Sequence, residues 1–445
     1  MKTVLVLGAG RSASVLINYL LSQAAKRQWK VIVGDLEPEL ARQKLGGSSY
    51  GEAIAFNIAD IPASARVIAG SDVVVSLLPP HLHVAVARLC LDHGRHLITA
   101  SYVSPDMRRL HRQAIEKNVL LLNECGLDPG IDHMSAMEVI HRIQQEGGRV
   151  TSFESFTGGL IAPDTDPENP WRYKFTWNPR NVVTAGQGTA RYLEAGKVRF
   201  IPYTQLFRRV TPVHVPGYGH YEGYANRDSL QYKEAYGLNS VHTLLRGTLR
   251  SPGFCAAWHV LVQLGVCDDS YTINCEGLSH CDFIELFLPY DARPAEERLA
   301  AWLDLPLQGP EMQRLRWSGF FSSEPIGLTQ GTPAQITEHI LNKRWALRPE
   351  DKDMIVMWHR FGVEKNGVQS EIQSSLAVTG TDSVHTAMAK TVGLPLGIAT
   401  RLLLEGQIKT RGVAIPVQAE LYHPILNDLK THGIAFHETA KPYGQ

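Results

Sequence analysis

Val4-Leu5-Val6-Leu7-Gly8-Ala9-Gly10-Arg11-Ser12-Ala13 is the stretch of this 445-residue chain that decides the fold of its first part. The four apolar residues predict a buried strand, and the six residues after it fit the pattern G-x-G-x-x-A. In this pattern the first glycine permits a tight turn, the second lets a pyrophosphate approach the backbone, and the alanine allows close helix packing. The stretch therefore predicts a dinucleotide-binding turn with Gly8, Gly10, Arg11, Ser12 and Ala13 at the cofactor.

A second predicted strand, Val31-Ile32-Val33-Gly34, ends at Asp35, and 35 − 10 = 25 positions separate Asp35 from Gly10. A carboxylate at this place accepts hydrogen bonds from the ribose hydroxyls of NAD and repels the 2′-phosphate of NADP. We therefore expect Asp35 to bind the cofactor, with NAD preferred over NADP. The segment from Asp35 to Pro38 also fits a helix start, so the same side chain can serve as a cap.

Three further apolar runs, at 72–78, 96–101 and 119–122, alternate with helical patterns. This alternation predicts an α/β fold with a doubly wound parallel sheet of the Rossmann type. Ligands of such sheets bind beyond the carboxyl ends of the strands. The further cofactor-binding residues that we predict at those ends are Ser76, Leu77, Leu78, Ser101 and Leu127.

Four histidines, His81, His83, His93 and His96, lie between these strands. Their spacing does not match the spacing of metal ligands, and no acidic or cysteine partner is suitably placed. We therefore predict no metal site and expect these histidines to face solvent or to cap helices.

The overall composition narrows the class of protein. Lys+Arg and Asp+Glu are both 44, so the net charge is zero. A zero net charge argues against general electrostatic binding to nucleic acid or to an anionic membrane. The six cysteines form no C-x-x-C pair and predict free thiols in a reducing compartment. The N-terminus does not fit a signal peptide, and we found no run of about 18 apolar residues. We expect a cytoplasmic protein and, from the frequency of twofold oligomers, a homodimer.

Several later segments resemble one family. The segment 126–133, Gly-Leu-Asp-Pro-Gly-Ile-Asp-His, resembles the G-L-D-P-G-I-D-H segment of glutamate-forming saccharopine dehydrogenases, and Ser101-Tyr102 resembles their S-Y pair. The segments 173–177 (YKFTW), 226–229 (NRDS) and 246–250 (RGTLR) are similar to their Y-K-F-S-W, N-R-D-S and R-G-T-L-R. These matches occur in order along most of the chain.

The resemblance implies an oxidoreductase of lysine metabolism. This family interconverts saccharopine with L-glutamate and 2-aminoadipate 6-semialdehyde, using NAD or NADP. In the oxidative direction saccharopine loses a hydride at a C–N bond, and water then cleaves the imine. Fungal members carry an arginine at the end of the second strand, which suits NADP, whereas this chain has Asp35.

Saccharopine carries three carboxylates, so its site needs donors and cations. Arginine suits this task because its planar fork binds a carboxylate through two hydrogen bonds. We predict that Arg227 and Arg246 bind substrate carboxylates, and that small residues let substrate approach the backbone at Gly247 and Thr248. Trp177 is predicted to wall the pocket, because it matches the family segment.

Asp128 follows a buried strand in a Leu-Asp-Pro-Gly turn, and the predicted substrate site also includes Ser101 and Tyr102. Asp128 is expected either to hold the substrate's ammonium group or to exchange protons with the imine. It can also be a turn residue that bonds its own backbone. Tyr102 and His133 are alternative acid/base groups.

The expected domains are a dinucleotide-binding domain at 1–128, a substrate-binding α+β domain at 129–385, and C-terminal helices at 386–445 that return to the first domain. The middle domain should combine a mixed sheet with a helical portion at about 287–350. Asn366-Gly367 predicts a hairpin, and Gly393 and Pro395 should bend or divide a long helix at 385–405. Two alternative functions remain open: a carboxy(nor)spermidine dehydrogenase, and an NAD-binding regulator without turnover.

Overall fold

The computed structural model describes residues 1–185 and 187–442, and these residues form two compact units. Unit 1 comprises Met1–Arg149 and Val384–His437, and unit 2 comprises Val150–Ser383 and the segment that begins at Glu438. Each unit has its own sheet.

Unit 1 contains a parallel sheet of seven strands in the order β17-β6-β5-β4-β1-β2-β3. Every pair of neighbours is parallel, and Val4–Leu7 pair with strands on both sides. This confirms the predicted doubly wound sheet, because only crossover connections can join consecutive parallel strands. The strands are β1 (Thr3–Leu7), β2 (Lys30–Asp35), β3 (Gly51–Ala55), β4 (Val73–Ser76), β5 (His96–Thr99), β6 (Leu120–Leu122) and, near the end of the chain, β17 (Gly412–Ala414).

Nine helices of the described chain belong to this unit. Their buried faces follow from apolar residues at helical spacing, as at Leu16, Ile17 and Leu20 of the first helix. The helices are α1 (Ala13–Arg27), α2 (Pro38–Leu45), α3 (Ile61–Ala69), α4 (His83–Asp92), α5 (Pro105–Arg109), α6 (His111–Glu116), α7 (Ile131–Gln145), α15 (Ala387–Leu404) and α16 (Ala419–Thr431).

Of the predicted bend or division at Gly393 and Pro395, the division is wrong, because α15 is continuous through both residues. Its glycines serve close packing instead: a Cβ on Gly393 would lie 2.8 Å from the Leu16 nitrogen, and one on Gly397 would lie 2.5 Å from the Tyr19 ring. By length and composition α15 could also span a membrane, and 78% of it is buried inside the structure. That burial is typical of a core helix.

Unit 2 contains a mixed sheet of nine strands, in which β10-β11-β12-β7-β15-β16-β18 follow one another and β8 joins β12 to β9. Its β7 and β12 are parallel, whereas β11 and β12 are antiparallel. The strands are β7 (Arg149–Ile161), β8 (Ala190–Glu194), β9 (Lys197–Ile201), β10 (Val210–Val215), β11 (Gly219–Ala225), β12 (Thr243–Arg250), β15 (Asp353–Lys365), β16 (Val368–Thr379) and β18 (His437–Pro442); β13 (Ile273–Asn274) and β14 (Gln330–Gly331) form a separate pair.

The helical portion of unit 2 begins earlier than the predicted 287. Its first long helix starts at Phe254, where Trp171, Trp258 and Trp345 pack edge-on, tilted or stacked with the Phe254 ring and with one another. Such rings bury large apolar areas and order the elements that carry them. The helices are α8 (Pro179–Val183), α9 (Tyr203–Leu206), α10 (Phe254–Leu264), α11 (His280–Glu285), α12 (Ala295–Trp302), α13 (Pro310–Trp317) and α14 (Pro333–Trp345).

The predicted hairpin is confirmed: Lys365 pairs with Val368, and both residues of the intervening turn have positive φ. The predicted domain boundary after residue 128 differs from the boundary of the units, which follows Arg149. Helix α7 belongs to unit 1, where His141 is hydrogen-bonded to Tyr422 of α16 at 2.7 Å. The predicted boundary after residue 128 therefore falls inside unit 1, between β6 and α7.

Candidate functional site

The turn after β1 has the geometry of a phosphate-binding turn. Gly8 adopts φ +98°, and a Cβ there would lie 3.2 Å from the carbonyl of Leu77. The neighbouring strand end thus excludes a side chain at this position. Gly10 is exposed, and no atom lies within 4 Å of a Cβ placed on it. The backbone at Gly10 is therefore open to a ligand, and Ser12 precedes α1 without a side-chain capping bond. These residues fit a dinucleotide.

Asp35 contacts the same turn, but its carboxylate serves the backbone. Its Oδ2 accepts the Ala9 N–H at 2.7 Å, and its Oδ1 accepts the Glu37 N–H at 3.0 Å. Asp35 therefore ties the turn after β1 to the residue that precedes α2, and it is not itself the N-cap, which is Glu37. Each carboxylate oxygen thus accepts a backbone hydrogen bond.

The predicted strand-end residues form one continuous row in unit 1. The Leu77 N–H donates to the Leu7 carbonyl at 2.8 Å, and the Glu124 N–H donates to the Ser101 carbonyl at 3.1 Å. Ser76 is opposite Thr99 in the register of β4 and β5. The carboxyl ends of adjacent parallel strands thus place the glycine turn and the segments at 76–78, 101–102 and 124–128 in one row, in the strand order β1-β4-β5-β6.

A buried histidine links two of these strand ends. The Nδ1 atom of His83 lies 3.0 Å from Ser76 Oγ, and its Nε2 lies 2.8 Å from Ser101 Oγ and 3.3 Å from Thr99 Oγ1. Burial, with a smaller contribution from His81, lowers the pKa of His83 to about 4. The expectation that His83 faces solvent is therefore wrong. The sequence offered one signal for this contact: His83 comes seven residues after Ser76, at the start of the next helix.

Asp128 is the one residue of 119–137 that is not buried, and all of these residues are described. The turn that carries it closes tightly, because the Gly126 N–H donates to the Pro129 carbonyl at 3.0 Å. A Cβ on Gly130 would lie 2.1 Å from the Gly126 carbonyl oxygen, so only glycine fits there. The turn therefore presents a single carboxylate from an otherwise buried segment.

His133 lies beneath this turn and is fully buried. Its Nε2 is 2.8 Å from Oε2 of Glu124, whose Oε1 accepts the Val103 N–H at 2.9 Å. His133 thus supports the loop that follows Ser101-Tyr102, and burial keeps it from acting as a general acid or base on substrate. Sequence reasoning missed Glu124 as its partner, because nine residues and a turn separate the two.

In unit 2 the two arginine segments are adjacent. The Asn226 N–H donates to the Arg246 carbonyl at 2.9 Å, and the Arg246 guanidinium lies over the Tyr232 ring at 4.4 Å. Asp228, the neighbour of Arg227 in sequence, pairs with Arg191 at 3.2 Å. Arg227 is exposed, and Arg246 is 6% exposed.

Gly247 has a packing role, and its predicted contact with substrate stays a prediction. A Cβ at this position would lie 2.3 Å from the Phe156 ring, so internal packing alone requires the glycine. Thr248 is half-buried two residues after Arg246, on the same face of β12 because side chains alternate along a strand. Trp177 is partly buried at the edge of the aromatic cluster of unit 2.

Lys174 is a second feature that the sequence did not indicate. Its side chain is fully buried in the segment that contains Trp177, with Nζ 2.6 Å from Asp351 and 3.0 Å from Asp166. A buried ammonium requires such partners. Lys174 therefore fixes the loop rather than binding a ligand.

Unit 2 also has a cavity of about 330 Å³, which no predicted site residue lines. Its charged groups largely pair with one another: Arg316 binds Glu296, and Lys343 binds Glu324 at 2.6 Å. Among residues 1–185 and 187–442 there is no group of three His, Cys, Asp or Glu side chains that could hold a metal ion. The candidate functional residues therefore remain the row of strand ends within unit 1 and the arginine segments within unit 2.

Family models match both parts of the chain. A model described as the saccharopine dehydrogenase NADP binding domain matches residues 4–122, and one described as the saccharopine dehydrogenase C-terminal domain matches residues 126–434. Together they cover the row of strand ends, the Asp128 turn and both arginine segments.

Relatives match over nearly the full length. The saccharopine dehydrogenase [NADP(+), L-glutamate-forming] of Schizosaccharomyces pombe is 32% identical over 98% of this chain and 99% of its own length. The mitochondrial alpha-aminoadipic semialdehyde synthase of Rattus norvegicus is 36% identical over 83% of this chain but only 41% of its own length. The solved structure of apo saccharopine dehydrogenase (L-Glu forming) from Saccharomyces cerevisiae matches 99% of the chain with 30% identity and a TM-score of 0.88.

These findings overturn the predicted cofactor preference. The matching domain model is described as NADP binding, and the S. pombe relative is named for NADP(+). The prediction that Asp35 selects NAD over NADP is therefore wrong. The hydrogen bonds of Asp35 to Ala9 and Glu37 account for a carboxylate at this strand end without reference to the cofactor, so its presence did not decide between NAD and NADP.

Proposed function

Because this chain belongs to the saccharopine dehydrogenase family, we propose that it interconverts saccharopine with L-glutamate and 2-aminoadipate 6-semialdehyde. NADP(H) is the proposed cofactor. The observation that carries the proposal is the match along 98% of this chain and 99% of a named saccharopine dehydrogenase, which includes both units. The relatives named above favour neither a carboxy(nor)spermidine dehydrogenase nor a non-catalytic regulator.

NADP would be held by unit 1. The open backbone at Gly10 and the start of α1 suit a pyrophosphate, and Gly8 keeps the turn close to Leu77. The bound cofactor supplies or accepts the hydride. The role of the chain is to border it with the loops after β4 and β5, which carry Ser76, Leu77, Leu78 and Ser101.

The substrate carboxylates would bind to Arg227 and Arg246. Their segments lie side by side because Asn226 and Arg246 share a backbone hydrogen bond. The Tyr232 ring under the Arg246 guanidinium restrains its plane, which prepares the fork for a carboxylate. Thr248 adds a hydroxyl on the same face, and Trp177 contributes apolar surface.

Asp128 is proposed to hold the substrate's ammonium group. An anion beside an amine is stabilised as an anion and is then a poor acid near neutral pH. Tyr102 is the proposed proton donor or acceptor, since it sits in the half-buried loop that Glu124 supports through the Val103 N–H. In the oxidative direction the substrate loses a hydride and a proton, and water cleaves the resulting imine into amine and aldehyde.

The test is saccharopine oxidation by the purified chain, followed as NADPH formation at 340 nm, with L-glutamate identified by mass spectrometry. The same assay with NAD+ measures cofactor choice, and carboxynorspermidine serves as the competing substrate. We expect turnover of saccharopine, with kcat/KM higher for NADP+ than for NAD+. Turnover of carboxynorspermidine alone, or tight NADPH binding without turnover of either compound, would refute the proposal.

The proposed homodimer and cytoplasmic location rest on the sequence arguments given above. Light scattering after size-exclusion chromatography tests the oligomeric state, with a mass near twice 49.3 kDa expected. Fractionation of expressing cells tests the location.

A further inference from the structure

We propose that His83 is a positioning residue that holds the hydroxyl groups of Ser76 and Ser101 and thereby couples the loop after β4 to the loop after β5. The first loop carries the candidate cofactor residues Leu77 and Leu78, and the second carries Tyr102. This inference deepens the proposed function and rests on it for the substrate part only. It assigns His83 no contact with substrate.

The geometry supports a link between two strand ends. Ser76 and Thr99 are opposite each other in adjacent parallel strands, and His83 is the first residue of α4. From there its ring reaches Ser76 with Nδ1 and Ser101 with Nε2, at 3.0 and 2.8 Å. Its side chain is buried, at 3% exposure, whereas Ser101 is half-buried. The imidazole ring therefore lies inside unit 1, behind the ends of β4 and β5, where the loops with the candidate ligand residues begin.

The chemistry of imidazole makes this link directional. A neutral imidazole has one N–H donor and one acceptor nitrogen, while each serine hydroxyl can play either part. If Nδ1 donates to Ser76, then Nε2 accepts the Ser101 hydroxyl proton, and the other tautomer reverses both bonds. In each tautomer the serine that accepts the ring N–H does not use its own hydroxyl proton in that bond, so this proton is available to another acceptor. Burial favours the neutral form, because it lowers the pKa of His83 to about 4.

Two near-isosteric substitutions separate the two bonds. An asparagine places its amide where Nδ1 stands, so His83→Asn keeps a partner for Ser76 and removes the partner of Ser101. A glutamine reaches the position of Nε2, so His83→Gln keeps the partner of Ser101 and removes that of Ser76. His93→Gln is the matched control, because His93 is exposed at the other end of the same helix.

The experiment measures the NADPH dissociation constant by fluorescence titration without substrate, together with kcat and the saccharopine KM. His83→Gln should weaken NADPH binding about tenfold, the effect of one ordinary hydrogen bond. His83→Asn should weaken NADPH binding less than His83→Gln does, because Ser101 borders the cofactor as well as Tyr102, and it should lower kcat/KM for saccharopine about tenfold. His93→Gln should change neither quantity.

Equal losses in both His83 variants, or no loss in either, would overturn the proposal, because a merely structural histidine does not separate the two readouts. If the His83 variants do not fold, Ser76→Ala and Ser101→Ala decide: the first should reproduce the NADPH effect and the second the substrate effect. If the wild-type chain binds NADPH but does not oxidise saccharopine, the proposed function fails. The NADPH titrations then still test His83 through Ser76.

Discussion

The Nε2 atom of His133 lies 2.8 Å from Oε2 of Glu124, and both side chains are buried beneath the turn that presents Asp128. The other oxygen of Glu124 accepts the Val103 N–H, so one buried side chain reaches both the Asp128 turn and the Tyr102 loop. Glu124 therefore supports both candidate residues: Asp128 through His133, and Tyr102 through Val103.

We expect His133→Leu to destabilise the chain by about 3 kcal/mol or more, because removing one partner leaves a carboxylate buried without that hydrogen bond. Glu124→Gln should cost less, since an amide oxygen can still accept the Val103 N–H. Urea unfolding measures both values. A smaller loss for His133→Leu than for Glu124→Gln would contradict the shared support.

Gly130 and Gly147, at the two ends of α7, form a matched pair for the steric argument. Gly130→Ala should prevent the turn from closing, because its Cβ would lie 2.1 Å from the Gly126 oxygen. Gly147→Ala has open space around it and a φ of +79°, so it should cost only about 1 kcal/mol of left-handed strain. Thermal unfolding and soluble yield distinguish the two variants. Similar stability in both would show that the Asp128 turn can adjust.

The stability of the chain should fall as the pH drops from about 6.5 to about 4. Burial lowers the pKa values of His83 and His96 to about 4, so the unfolded chain binds protons in this window while the folded chain does not. Each histidine contributes a slope of up to ~1.4 kcal/mol per pH unit, and the slope ends below pH ~4, where both states are protonated.

His96→Asn isolates one of these titrations. The Nδ1 atom of His96 accepts the Leu120 N–H at 2.9 Å, and an asparagine oxygen can replace it without titrating. Urea midpoints measured from pH 7 to pH 4 should therefore decline less steeply in this variant. An unchanged slope would show that His96 is not neutral in the folded chain.

Arg227→Lys should raise the saccharopine KM about tenfold or more while sparing NADPH binding, because a point charge cannot reproduce the two-pronged contact with a carboxylate. Arg191→Lys is the control, since its exposed ion pair with Asp228 should contribute little in either form. A KM near the wild-type value in both variants would remove Arg227 from the substrate site.

Asp128→Asn should mainly raise the saccharopine KM if Asp128 holds the ammonium group, because an amide still accepts a hydrogen bond. If Asp128 moves protons, kcat should fall and one limb of the pH–rate profile should flatten. Tyr102→Phe is the companion variant, with the larger loss expected in kcat. A large kcat loss at an unchanged KM in Asp128→Asn would reverse the two assignments.

The sequence by itself determined the parallel sheet, the glycine turn after β1 and the Asn366-Gly367 hairpin. These features depend on local patterns, because a strand, a glycine turn and a hairpin each need only neighbouring residues. The family followed from several short segments in order, and the matched relatives confirm it.

Only the tertiary structure decided what those residues contact. Asp35 bonds Ala9, which lies 26 residues earlier in the chain, and His83 spans strand ends that the sequence separates by 25 residues. Gly247 is required by the Phe156 ring, and Gly393 by the backbone of α1. A residue's type gives its hydrogen-bonding capacity and its size, whereas its partner is set by which chain segments pack together. That packing is a long-range property, so the sequence pattern predicted the fold of this chain better than the role of each side chain.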